Sequence, residues 1–242
     1  VDFGQGLPKM AIVGLPDEAV RESRERVYSA IKNAGLSYPR KALTVNLAPA
    51  TVRKEGPSFD LPIAVGVLIS GSQLPPNAVD GALIIGELSL DGSVRHVRGV
   101  LAMAAAARAA GYKRFFVPVD DAAEAALIPE IEVFPVPNLA ALYAHLTGGE
   151  ALQAANASEF VDMPGTRYGV DFSEIRGQEQ VKRAMEIAAA GGHNVLMVGS
   201  PGAGKTLIAR ALPSILPKLE LDEALEVTKI YSISDLLPKG RA

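Results

Sequence analysis

The sequence predicts an α/β protein in two domains, on three observations. Short apolar, often β-branched runs alternate with helical patterns through residues 1–149. Near residue 200 a glycine-rich loop separates another apolar run from another helical pattern. The length of 242 residues, 48% hydrophobic and 21% charged, exceeds one average domain and keeps a globular composition.

In the first domain, Lys9–Val13, Ala42–Asn46, Ala82–Leu90, Arg114–Val117 and Ile131–Pro135 are short and apolar enough for strands. Asp17 can cap a helix reaching about Asn33, because its carboxylate can accept from the first free amides. Val20, Val27 and Ile31 recur on one face of that helix, which leaves Arg21, Glu22, Arg24, Glu25 and Arg26 mostly solvated. Asp91-Gly92 reads as a tight hairpin turn between Leu90 and Ser93. The Ala-rich helix Leu101–Ala110 is stopped by Gly111, and Leu139–Leu146 by Gly148-Gly149. Residues 150–168 are polar and contain Pro164-Gly165, a linker composition. The second domain, 169–242, reads as a helix at Gln178–Ala190, a buried strand at Asn194–Val198, then helices at Lys205–Leu212 and Leu221–Tyr231. No repeat or low-complexity tract interrupts this order.

Composition narrows the chemistry. Zero cysteines exclude disulfides and thiolate metal sites, and three scattered histidines argue against a zinc enzyme. A net charge of −3 gives no overall electrostatic footprint for nucleic acid. The longest uncharged stretch, Leu61–Val79, is broken by Pro62, Pro75 and Pro76, so no membrane span is expected. With no basic-then-apolar leader, a cytoplasmic protein is the expectation, and an opening at Val1 fits a piece of a longer protein.

One motif carries strong chemical information. Gly199-Ser200-Pro201-Gly202-Ala203-Gly204-Lys205-Thr206 fits the phosphate-binding loop G-x-x-x-x-G-K-[ST]. Glycines at 202 and 204 let the backbone curl so that successive amides point at phosphate oxygens. The helix beginning at Gly204-Lys205 presents its positive end to the same anion. In this arrangement Lys205 reaches the β- and γ-phosphates of ATP and the Thr206 hydroxyl ligates Mg²⁺. Turnover needs a further carboxylate at the end of a second strand. Thirty-six residues follow Thr206, and no apolar strand leads into Asp222-Glu223. Phe115–Asp121 has the right local form but lies upstream, so binding without hydrolysis is the expectation for these 242 residues.

Longer motifs resemble a known family. Ile175-Arg176-Gly177-Gln178, Gly191-Gly192-His193-Asn194 and the loop resemble the AAA+ module of magnesium-chelatase-like ATPases, as do Leu212–Pro217 and Thr228–Ser232. Upstream, Ile12–Pro16 with Val20–Val27, and Asn46–Ala50 with Arg53–Pro62, resemble the N-terminal domain of the YifB/ComM branch. The resemblance implies a Lon-protease-like domain of the ribosomal protein S5 domain 2-like α+β type, followed by the first part of a P-loop AAA+ α/β domain. It implies that Ile175, Gly177 and Gln178 lie at the adenine side of the nucleotide. For the complete protein it implies a homo-oligomeric ring, a hexamer, that acts on DNA in branch migration during natural transformation. By the same comparison the family's first strand begins before Val1, and the hydrolytic carboxylates, sensors and arginine finger fall beyond Ala242.

The resemblance also places Ser58 at the Lon nucleophile's position. A Ser–Lys dyad needs a lysine within hydrogen-bond reach, and Leu101 stands where the matching lysine would be. Lys54 is no substitute, since Lon-like sequences carry a lysine there as well as the catalytic one. The favoured reading is that Ser58 caps the helix through Leu61–Ile69 and that no residue is catalytic. An ATP-gated peptidase or peptide-binding module, and a chelatase accessory subunit acting on a tetrapyrrole, are the alternatives to the DNA motor. Among weaker signals, His193 is read as part of the turn before Asn194–Val198, and Arg95, Arg98, Lys113 and Arg114 as solvated charge. Residues 151–242 hold ten basic and eleven acidic side chains, so the second domain has no basic excess.

Overall fold

The computed structural model describes residues 1–4, 6–156, 169–234 and 236. The described residues divide into two compact units: one comprises those up to residue 156 together with those from Val227 onward, and the other comprises residues 169–226.

The first unit is mixed α/β. Strands β1 (Asp2–Gly4), β2 (Met10–Val13) and β3 (Ala42–Asn46) form a sheet in the order β1-β3-β2. β2 and β3 are parallel, with Met10 opposite Leu43, and helix α1 (Glu18–Asn33) makes the crossover between them. β1 is antiparallel to β3 and is an element that composition alone does not announce. A second sheet is fully parallel, in the order β4 (Ala82–Ile84), β7 (Arg114–Pro118), β8 (Glu132–Val136). Between β4 and β8 in sequence lie the hairpin β5 (Glu87–Leu88) and β6 (Val94–Arg95), the helix α3 (Val100–Ala109) and the short helix α4 (Ala122–Ala125). The expected strand Ala82–Leu90 is therefore two strands. At the break between them the Ile85 amide bonds to the Phe116 carbonyl and that of Gly86 turns to the Ser58 carbonyl.

Helix α2 (Asp60–Ser70) is apolar on nearly every side and fills the middle of this unit. Leu61 and Leu68 from it, Val27 and Ile31 from α1, Leu43 from β3, Phe116 from β7 and Leu142 from α5 (Leu139–Leu146) share one core. A helix that is apolar all round has to be buried all round, and this one is. Phe116 stacks on Phe134 at 5.1 Å, and the His145 ring leans on both.

Local chemistry explains the boundaries. Asp17 caps α1 as expected: its Oδ1 accepts from Val20 N at 2.8 Å, while its Oδ2 accepts from Gly56 N at 3.0 Å. Gly14, at φ +108°, tolerates no side chain, since a Cβ there would collide with the Leu47 carbonyl oxygen. Gly111 ends α3 in the left-handed region and Tyr112 N returns to Ala107 O, as a glycine cap requires.

Three expectations are corrected. Arg26 is not solvated: its guanidinium grips Asp60 through two bonds, Nε to Oδ2 at 2.6 Å and Nη2 to Oδ1 at 3.1 Å. Ser58 does not cap α2, which is entered through a tight turn at Pro57–Phe59 with no side-chain cap bond. The first residues of the expected linker belong to the first unit. Leu152 N donates to His145 Nδ1 and Ala155 N to Val133 O, so a polar composition still finds partners along α5 and β8. Pro164-Gly165 lies outside the described residues. Among the described residues no helix is long and apolar enough to cross a membrane.

Asp60 is fully buried, and it also accepts from Leu88 N at 3.1 Å, so its loss strands a half-buried cation and an amide. Asp60→Ala is expected to cost about 3 kcal/mol of unfolding free energy, measured by urea denaturation. The bonds from Val20 and Gly56 hold the Asp17 carboxyl below its ordinary pKa. Its stabilising contribution is therefore present above the unfolded pKa and lost as pH falls through the lower folded value. Asp17→Ala should cost about 1 kcal/mol at neutral pH, and the gap from the parent should close in strongly acid urea titrations.

Candidate functional site

In the second unit, α6 (Glu179–Gly191) and α7 (Lys205–Ala211) flank the glycine-rich loop. Phe172, Ile175, Met185, Ile208 and Ala211 form the core beneath it. Asp171 opens the short helical turn Phe172–Glu174 with a reciprocal cap. Its side chain accepts from Ser173 N and Glu174 Oε1 accepts from Asp171 N, and the two serine-to-Asp171 bonds lower the carboxyl pKa. Phe172 N donates to Ser214 Oγ at 2.9 Å, fastening this segment beside the end of α7. No sequence signal marks Ser214 for that task.

The loop itself has the expected backbone. Gly202 and Gly204 stand at φ +82° and +84°, where an L side chain is strained. The Lys205 ammonium folds back over the loop and donates to the Gly199 and Ser200 carbonyls, each at 2.8 Å. Neutral carbonyl dipoles hold that charge, which leaves it available to an anion. Ser200, Pro201 and Thr206 are exposed, and Ala203 is half-buried, its N–H reaching back to Ser200 O. A cavity of about 330 Å³ adjoins the loop, lined by Gln178, Val181, Met185, Val195, Lys205 and Ile208 among others.

The structure separates the three adenine-side candidates. Gln178 enters the loop region directly: its Nε2 donates to Ala203 O at 3.0 Å, and its own backbone is left-handed at φ +55°. Gly177, at φ +69°, makes the turn that delivers it. Ile175 is a core residue, 4% exposed among Phe172 and Met185. It can shape the site from below but presents little surface to a ligand.

The run Asn194–Val198 differs from expectation. It is not paired as a strand, and Leu196 and Val198 are 88% and 89% exposed. Its apolar pattern supplies two faces of a buried strand, yet a strand also needs a neighbour for its amides, and none of the described residues in this unit forms one. His193 lies in the turn that ends α6, with its N–H on Ala188 O and its ring against Gly191.

In the first unit, Ser58 is half-buried, and its carbonyl accepts from Gly86 N. Leu101 is fully buried, and the Lys54 ammonium donates to the Pro49 and Val52 carbonyls. No base is thereby brought to the serine among the described residues. The upstream look-alike Phe115–Asp121 is strand β7 with a structural carboxylate after it. Asp121 accepts from Val97 N at 3.0 Å and contacts His96 Nδ1, while burial raises its pKa against those two bonds. Sequence spacing gives no hint of that pairing.

Comparison with known proteins accords with this geometry. The family model for subunit ChlI of Mg-chelatase matches residues 1–121, and a second, for magnesium chelatase subunit ChlI, matches residues 171–242. The chain is 42% identical over 233 residues to the uncharacterized protein YifB of Escherichia coli K12, covering 96% of this chain and 45% of that protein. It is 38% identical over 237 residues to competence protein ComM of Haemophilus influenzae, covering 96% and 46%. An archaeal Lon protease of Archaeoglobus fulgidus is 38% identical over 52 residues, 22% of this chain and 8% of that protein. The chain thus spans less than half the length of YifB and of ComM. Two matched family models and near-complete alignment with YifB and ComM place the chain in the magnesium-chelatase-like family, in its YifB/ComM branch.

Proposed function

We propose that the chain binds ATP with Mg²⁺ at Gly199–Thr206, and that in the whole protein this site powers a hexameric ring acting on DNA. The observation that carries the reading is the Lys205 ammonium. It rests on two carbonyls of its own loop, beside glycines whose left-handed backbone suits a loop that offers amides to an anion. Phosphate oxygens are the ligand that such a cradle suits, because they accept from amides and ammonium at once. Gln178, bonded to Ala203, sets the loop against α6, with Gly177 shaping the approach and Ile175 supporting from the core. Thr206, exposed on the first turn of α7, is the hydroxyl for Mg²⁺. When bound, that ion neutralises charge on the β- and γ-phosphate oxygens.

Family membership supports the larger reading. Residues 1–149 are then the Lon-protease-like domain and 169–242 the first part of the AAA+ domain, in a cytoplasmic protein. The burial of Leu101 and the turning of Lys54 weigh against peptidase chemistry in the first part.

Lys205→Ala should raise the dissociation constant for ATP·Mg²⁺ at least about thirtyfold, the scale of removing one partner of a charged pair. Titration calorimetry measures this, with unchanged thermal melting as the folding control; unchanged affinity refutes the site. A serine-directed covalent probe should leave Ser58 unlabelled, and labelling abolished by Ser58→Ala would restore the peptidase reading.

A further inference from the structure

A second cleft, in the first unit, plays no part in the loop chemistry. It has a volume of about 760 Å³ and is bordered on one side by Arg24, Tyr28 and Lys32 of α1. Residues four apart share one helix face, so these three form a row, spanning about 12 Å at the helical rise. Lys9, just before β2, and Tyr38 and Arg40, after α1, also line it. Four cations thus face a single carboxylate among the lining residues, that of Glu25.

All four cations are exposed, and none makes an ion pair among the described residues. Arg24 Nε donates to the Arg21 carbonyl at 3.1 Å, and the Lys32 ammonium lies 4.8 Å from the Tyr28 ring centre. Tyr28 and Tyr38 meet edge to face, with ring centres 4.8 Å apart. Within a chain of net charge −3, this is a local concentration of positive charge around two aromatic rings.

We propose that this cleft binds single-stranded nucleic acid, with phosphates along Arg24, Lys32, Lys9 and Arg40 and a base against the tyrosine pair. Three features select that ligand. A row about 12 Å long exceeds the reach of one phosphate group, so the ligand carries several anions along its length. An aromatic ring placed between two cations matches a chain that alternates base and phosphate. A ring can stack only on a base whose face is free, which a duplex interior does not offer. The site is independent of the nucleotide reading of the Gly199–Thr206 loop.

Fluorescence anisotropy of a fluorescein-labelled oligothymidylate, titrated with the 242-residue chain at several salt concentrations, tests the proposal. Saturable binding that weakens with salt is expected. Arg24→Glu with Lys32→Glu should weaken it at least about tenfold and flatten the salt slope by roughly 0.7 for each phosphate no longer neutralised. Tyr28→Ala should weaken it about fivefold or more, with Tyr28→Phe retaining affinity. Lys205→Ala should leave it unchanged, which separates failure of this site from failure of the loop.

Four outcomes would overturn the proposal. They are absence of saturable binding, unchanged affinity in the charge-reversed protein, equal or tighter binding of a duplex of the same length, and abolished oligonucleotide binding in Lys205→Ala. Thermal melting of the charge-reversed protein should match the parent, since Arg24 and Lys32 are exposed.

Discussion

The first unit is organised around one buried ion pair. Asp60 begins α2, Arg26 lies in the middle of α1, and Leu88 belongs to the hairpin strand β5; all three meet at one carboxylate. The bidentate geometry keeps the Arg26 guanidinium charged, with the Asp60 hydrogen bond the largest cause of its raised pKa. Such a pair adds little net stability over a well-packed apolar replacement, but it punishes misplacement, since neither charge can be left alone. It fixes the rotation of an α2 helix whose sides are nearly all apolar and would otherwise have little reason to prefer one orientation. The Ser58 turn, directly before Asp60, inherits its position from that constraint.

The second unit depends on a different device, a loop whose shape is stored in glycines rather than in packing. Positive φ at Gly177, Gly202 and Gly204, with Gln178 beside them, places several residues where only a small or polar side chain is at ease. Glycine adopts that backbone without strain, so Lys205 can fold back over the loop while the core of Phe172, Met185 and Ile208 underlies it. Stability and chemistry are thus assigned to different residues, and altering the lysine need not disturb the core.

Much of the local structure is legible in the sequence, because its causes are local. The carboxylate of Asp17, the glycine at 111 and the apolar face of Val20, Val27 and Ile31 act within one helix, so spacing suffices. The turns of the glycine-rich loop are legible for the same reason: they are contained in eight consecutive residues. What escapes the sequence is decided by distant partners. Arg26 reads as solvated because Asp60 is thirty-four positions away. Asn194–Val198 has a strand's pattern, but pattern cannot supply the neighbouring strand. The family motif groups Ile175 with Gly177 and Gln178, whereas burial assigns it to the core. The pairing of His96 with Asp121, and the gathering of Lys9, Tyr38 and Arg40 beside the α1 row, emerge only when the helix and the strands are assembled.

The central claim is that the Gly199–Thr206 loop of this chain takes the phosphates of a nucleotide, and backbone amides report on it most directly. Titrating ¹⁵N-labelled protein with ATP·Mg²⁺ should shift the amide resonances of Gly202, Ala203, Gly204, Lys205 and Thr206 together along one saturable curve. Those of β2 and β3 should stay in place. A loop that remains silent while nucleotide is added to excess, or a saturable response confined to other residues, would contradict the account.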